Sequence, residues 1–581
     1  MLFRFLKLPK LLLGQKFIHK YIFNMEKAYL RYLGEDSNQF EFSFKYKNED
    51  LKIDRQFNFC RKLSENVEVF LSRVTTNVGK IVNKKSKKKM KKENNIQLDQ
   101  TVTALLYLGD KELEKTKLCS DVFQIGNHNI VFKLLDRNYE VIINSPWVDS
   151  MSLPMSILAN FPTYPSKFDT VFTDKELSEF TWSKSVDDTT WTHVGKGFIY
   201  IPTNEDINHY LKLSCVPKNE NSEGPTAEAV SVCKVDASPG QCPFETRHNF
   251  TRERARDNEF RVVTYNILAD LYCDSDYTRT VLHPYCPPYA LDIDYRKQLI
   301  FKEIIGYNAD IICLQEVDRK LYQYDLQPVL SHLGYQSKFF TKGNEVAEGL
   351  ALFFYSKRFN LMESHRLVFS EHISTDKLFA DLWENIEKNE NLAKRILARS
   401  TTLQTNVLDV VDRDEVLVVA NTHLYFHPDA DHIRLLHAGL AIKYLENFIT
   451  ELRKKIPRKR ISLIFCGDFN SSPDCGIYKL FSEGHLPSDF KDYQSNKEES
   501  INGIELKQPF KLASACGTPK YTNYTSMFAD CLDYIYYETS NLAVSQVVPL
   551  PSHEEVTEHT ALPSIVFPSD HIALISDMKW L

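Results

Sequence analysis

From Phe260 onward, apolar runs of strand length end repeatedly in short polar signatures, with helical stretches between them. The runs are FRVVTYNIL, ADIICLQEV, EGLALFFYS, EVLVVANTHLY, ISLIFCGDFN, CLDYIYYE and HIALISDMKW. Residues Asp294 to Asn308 read as a helix. So does Asp431 to Lys454, whose apolar positions Ile433, Leu436, Leu440, Tyr444 and Phe448 recur at helical spacing. Strands alternating with helices imply an α/β domain of about three hundred residues. Polar groups that follow buried strands are delivered to one edge of a sheet, where a scaffold can hold a reaction site.

At 581 residues the chain exceeds what one core supports, so further domains are expected. Residues 25–245 read as a β-rich region. Within it Phe180 to Pro217 has short alternating runs broken by Asp-Asp, Gly and Pro-Thr-Asn, the chemistry of hairpins in an immunoglobulin-type β-sandwich. Cys215 has no obvious disulfide partner there. Lys84 to Lys92 holds seven lysines in nine residues and reads as a solvated loop, because like charges repel. The turn-rich, charged stretch 236–258 reads as the boundary, with 246–258 as the linker and 259–581 as the catalytic domain.

Residues 1–24 carry Arg4, Lys7, Lys10, Lys16 and Lys20 interleaved with Phe and Leu, and no acid precedes Glu26. That pattern suits a segment targeting the mitochondrial matrix; an ordinary frayed terminus is the alternative. No apolar run is long enough to span a bilayer as a helix. The twelve cysteines lack CxxC spacing and read as core residues of a reduced protein rather than a zinc site. With a net charge of only -6, a nucleic-acid partner would have to be gripped by a local basic groove.

The polar signatures are YNIL with Asn266, LQE with Glu316, NTHL with His423, GDFN with Asp468 and Asn470, LDYI with Asp533, and SDH with Asp570 and His571. Singly, each has an ordinary explanation: a turn, a hydrogen-bonded structural histidine, a paired glutamate. Their joint order resembles the endonuclease/exonuclease/phosphatase superfamily. NTHLYFHP and CLDYIYY place the resemblance in its deadenylase-like branch. YCPPYALDIDYRKQL, ASACGTPKYTNYT, LPSHEEV and SDHIAL resemble the mitochondrial 2′,5′-phosphodiesterase group within it.

The resemblance implies a four-layer α/β sandwich, two packed mixed sheets flanked by helices, behind a β-rich N-terminal region. It implies hydrolysis of oligoadenylate from the 3′ end, both 2′,5′-linked and as 3′,5′-linked poly(A), with Mg2+ or a substituting Mn2+. Glu316 is then the expected magnesium ligand, since magnesium is held by one or two carboxylates plus water. Asp468 is the expected general base, oriented by Asn266 and Asn470. His571 would donate to phosphate oxygens with Asp533 fixing its ring, and His423 would steady the transition state. Asp570 could serve a second metal; Asp468 and Asn470 as ligands would merge these roles into a two-metal clamp. Leu268 stands where the base-excision endonuclease branch carries an Asp ligand, which leaves the number of metal ions open.

Adenine needs flat apolar faces, and Pro428 and Phe528 are the candidates by resemblance. Arg296, Lys297, Lys338 and Lys342 are candidate phosphate contacts. Two other readings stay open: another phosphatase or nuclease of the same fold, acting on an inositol phosphate, lipid or DNA, or a catalytically silent RNA-binding scaffold. The silent scaffold would be marked by loss of Glu316, Asp468 or His571, and none is lost.

Overall fold

The computed structural model describes residues 25–32, 37–93, 101–124, 129–343 and 346–581. The expected targeting segment, 1–24, lies outside the described residues. The chain forms two compact units. One comprises residues up to 151 with 168–181 and 214–228, the other 152–167, 182–213 and 229–581.

In the first unit a seven-stranded sheet has the strand order Ile53–Lys62, Gln39–Asn48, Glu26–Tyr32, Arg137–Ile143, Ile130–Leu134, Ala104–Leu108, Lys111–Glu112. The helix Val67–Glu93 packs Val67, Phe70, Leu71, Val74, Val78 and Val82 into its core. This helix runs through the lysine-rich stretch expected to be a loop, and Lys84, Lys85, Lys87, Lys88 and Lys89 are exposed on it. Two causes override the repulsion. Lysine is a good helix former, and the packed N-terminal half supplies the costly nucleus while water and salt screen the charges. The residues read as sandwich-like hairpins form the strands Asp174–Ser185, Thr192–Lys196 and Tyr210–Lys218.

The second unit is built on two six-stranded mixed sheets. The first has the order Tyr335–Thr341, Glu348–Tyr355, Ile311–Asp318, Glu259–Asn266, Leu574–Trp580, Leu542–Val547. The second has the order Phe359–Val368, Thr402–Val410, Glu415–His423, Arg460–Asp468, Asp533–Glu538, Leu512–Ser514. Val262, Cys313 and Phe354 of one sheet meet Leu417, Ile464 and Ile535 of the other in a dry core. Helix Ile293–Gly306 packs Tyr295 and Leu299 with Leu268 and Ile572, which flank two strands of the first sheet. Helices Asp431–Lys455 and Gly476–Glu483 cover that of the second. The result is the expected four-layer α/β sandwich.

Residues 246–258 are not a free linker. Arg247 is buried and its guanidinium donates to Pro549 O (3.0 Å) and Ala573 O (2.7 Å), while Asn308 Nδ2 donates to Thr251 O (2.9 Å). Arg247 and Arg254 instead cap carbonyls of the catalytic core, while Arg252, Glu253, Arg256 and Asp257 stay exposed. Among the described residues no helix is long and apolar enough to cross a membrane.

Candidate active site

The central strands of both sheets run parallel to a neighbour and deliver their C-terminal residues to one place. Glu259–Asn266 pairs in parallel with Ile311–Asp318, and Glu415–His423 in parallel with Arg460–Asp468, so that His423 lies opposite Asp468. On its other side Asp468 lies opposite Asp533 of an antiparallel strand. Gly467 makes the register possible: a Cβ there would stand 2.3 Å from Thr422 O. Glu316 sits at a bulge with φ +54°, which turns its side chain out of the strand's alternation and into the site.

Asn266 joins the two sheets. Its Nδ2 donates to Glu316 Oε1 and to Asp468 Oδ2, each at 3.0 Å, and its Oδ1 accepts from Leu268 N. Asp468 Oδ1 accepts from Asn470 N at 2.9 Å, and Asn470 Nδ2 donates to Leu424 O. His423 Nε2 stands 3.4 Å and His571 Nε2 3.5 Å from Asp468 Oδ2. His571 Nδ1 donates to Asp533 Oδ2 at 2.8 Å. Thr522 Oγ1 accepts from Leu532 N and Asp533 N, and Ser569 Oγ donates to Asn266 O, so the LDYI and SDH segments are tied to the same frame.

Burial sets the protonation states. Asp468, 1% exposed, is pushed up to about 6 by burial and by Asp533, against the opposing pull of His571. Burial also lifts Glu316, to about 7, with Glu348 and Asp570 adding to the effect. Burial lowers His423 well below the ordinary imidazole value, helped by the charges of Lys342 and His571. At His571 burial acts the same way, but Asp533, Asp468 and Asp570 outweigh it and carry the imidazole well above its ordinary value. One imidazole is therefore neutral and the other cationic, on either side of the same carboxylate.

The donor set fits a hard divalent cation. Glu316 is a carboxylate only 12% exposed, with two more carboxylates near enough to raise its pKa, an arrangement that a cation relieves. Ligand atoms of Asp468, Asp533 and His571 also lie within 4.8 Å of one another, and Asp533 Oδ2 accepts from His571 Nδ1.

Two expected phosphate contacts are elsewhere. Arg296 is fully buried, and its guanidinium donates to Leu291 O (2.8 Å), Leu268 O (2.8 Å), Ile267 O (3.2 Å) and Pro568 O (3.3 Å). It clamps the turn after Asn266 to the segment before His571 and cannot meet substrate. Lys297 is ion-paired with Asp294 (2.6 Å) and Asp325 (3.3 Å). Pro428 is exposed five residues after His423, and Phe426, 71% exposed, offers a larger flat face beside it. Phe528, 49% exposed, lies at the tip of a hairpin whose base is bonded to the SDH segment: Asn523 bridges to His571, and Tyr524 N donates to Asp570 O. The sequence reading missed Glu348, although an acid opening the run EGLALFFYS is a visible signal.

Residues 263–571 match the family described as endonuclease/exonuclease/phosphatase. The chain belongs to that family. Within the endonuclease/exonuclease/phosphatase family it is similar to 2',5'-phosphodiesterase 12 of Rattus norvegicus, at 42% identity over 82% of this chain and 80% of the relative. The Homo sapiens protein of the same name is 41% identical over the same shares. The CCR4-Not complex 3'-5'-exoribonuclease subunit Ccr4 of Candida albicans is 30% identical over 56% of this chain and 42% of its own length. Residues 145–236 match the 2',5'-phosphodiesterase 12-like, N-terminal domain. The chain is a hydrolase of that family.

Proposed function

We propose that the protein is a magnesium-dependent phosphodiesterase that removes nucleotides from the 3′ end of oligoadenylate, both 2′,5′-linked and 3′,5′-linked, in the mitochondrial matrix. The observation that carries the reading is the convergence of Asn266, His423 and His571 on one buried aspartate. Asp468 takes the proton of the attacking water, which its raised pKa suits it to do near neutral pH. The His571 imidazolium, oriented by Asp533, donates to a phosphate oxygen, and neutral His423 donates from the other side. Asn266 holds Asp468 and Glu316 at fixed separation. Glu316 would hold the cation, with Asp468, Asn470 and Asp570 as the further oxygen ligands in reach of a second. The cation supplies positive charge to the phosphate oxygens as negative charge builds on them.

Phe528 and Pro428, both exposed, would hold the terminal bases, a role that suits an adenylate better than an inositol ring, and the names of the mammalian relatives point the same way. Purified protein supplied with magnesium should hydrolyse 2′,5′- and 3′,5′-linked adenosine oligomers, stop in excess chelator, and leave inositol phosphates intact. Activity that survives chelation, or turnover of inositol phosphates alone, would refute the reading. A reporter carrying residues 1–24 should enter mitochondria; a uniformly cytosolic signal counts against the location.

A further inference from the structure

Lys342 follows directly on the strand Tyr335–Thr341, and its backbone N–H donates to Glu348 O at 3.1 Å, which pins it against the neighbouring strand. Gly349 permits the close approach, since a Cβ there would stand 2.0 Å from Phe340 O. The lysine side chain is 11% exposed and the Glu348 side chain fully buried; their ion pair is 2.5 Å long. Tyr272 OH donates to the same Glu348 oxygen, Oε1, at 3.2 Å. From this anchorage Lys342 Nζ reaches His423 Nδ1 at 3.0 Å.

An ammonium has three donors and no lone pair. At hydrogen-bond distance from it, His423 Nδ1 has to present its own lone pair, so the ring's one proton sits on Nε2. Nε2 is the nitrogen that faces Asp468. We propose that Lys342 is a positioning residue that locks His423 in the Nε2–H tautomer, so that its single N–H always points into the site as a donor. Without the ammonium, a proton on Nδ1 would be drawn toward Glu316 Oε1, 3.9 Å away, and the carboxylate of Glu348. Nε2 would then turn a lone pair toward Asp468 and toward phosphate oxygens, where it repels both. His571 has the opposite arrangement, because a carboxylate rather than an ammonium holds its Nδ1. The two imidazoles are thus held through Nδ1 by groups of opposite charge.

The kinetic half of the test rests on the phosphodiesterase reading, whereas the spectroscopic half needs no substrate, so the two fail independently. Lys342→Met combined with Glu348→Gln replaces the buried ion pair by two neutral side chains of similar length. In full-length protein with 15N-labelled histidine, assigned with His423→Gln, the His423 ring should show the Nε2–H pattern, and the double variant should lose it. A native spectrum in the Nδ1–H form, or one that the double variant leaves unchanged, overturns the proposal. On an adenosine oligomer with magnesium, the double variant should lower kcat about tenfold or more with KM within about twofold. In a His423→Gln background the same change should cost less than about twofold, because the lysine acts through that ring. An equal loss in both backgrounds, or a loss confined to KM, would mean that the ammonium contacts phosphate directly and would refute the positioning role.

Discussion

Replacing Asp468 by asparagine separates what the site does for chemistry from what it costs the fold. Oδ2 of Asp468 is surrounded by donors: Asn266 Nδ2 at 3.0 Å, His423 Nε2 at 3.4 Å and His571 Nε2 at 3.5 Å. Oδ1 accepts from Asn470 N at 2.9 Å. Either orientation of an amide therefore sets its NH2 against a donor, a loss of about 1–3 kcal/mol. The opposite contribution comes from the buried charge. A carboxyl raised from 3.8 to about 6 makes the ionised folded state less stable above that pH by roughly 3 kcal/mol. The two effects nearly cancel, so in chelator at pH 7 the urea midpoint of Asp468→Asn should lie close to that of the parent. Single-turnover cleavage with magnesium should nevertheless fall by about a hundredfold to ten-thousandfold, because the amide cannot accept the water's proton. Near-native cleavage by Asp468→Asn would refute the assignment of the base. Loss of fold with activity in proportion would refute the energetic argument.

Phe528→Ala should weaken adenosine-oligomer binding by about 1–3 kcal/mol, the value of one base stacked on an aromatic ring, with single-turnover rate at saturation unchanged; unaltered affinity in a titration would remove Phe528 from the substrate site. Arg296→Met should cost about 3 kcal/mol or more in denaturant stability, since it deserts buried carbonyls on both the Asn266 turn and the His571 segment. A variant of unchanged stability that binds substrate poorly would instead restore Arg296 as a phosphate contact. His437, buried against Phe369 with neither ring nitrogen hydrogen-bonded, is lowered by burial to about 3. As pH falls below about 6.5 the unfolded chain takes up this proton and the folded one does not, so stability drops by about 1.4 kcal/mol per pH unit. Between pH 7 and 5, His437→Leu should therefore lose about 2 kcal/mol less than the parent in urea titrations, and parallel losses would exclude His437 as the acid-sensitive group.

The sequence by itself determined the class of fold and the motifs of the site. A strand buried between layers must be written as an apolar run, and FRVVTYNIL, ADIICLQEV and ISLIFCGDFN form the strands Glu259–Asn266, Ile311–Asp318 and Arg460–Asp468. The polar residues that end these runs could be named as candidates because chain order along a strand is order in space. Tertiary structure decided everything that depends on what else is packed nearby. Arg296 reads like any helix-surface arginine in the sequence, yet the segments around Leu268 and Pro568 fold over it and take its Nη1 as a donor. Residues 246–258 look solvated by composition, but Arg247 finds a carbonyl 326 positions away. The lysine run forms helix because the apolar turn before it is anchored on a sheet. The same limit applies to the chemistry. Burial lowers His423, with Lys342 behind its ring adding to the effect, whereas Asp533, Asp468 and Asp570 outweigh burial at His571. Local pattern fixes which residues are polar; protonation depends on burial and on partners that come from distant parts of the chain.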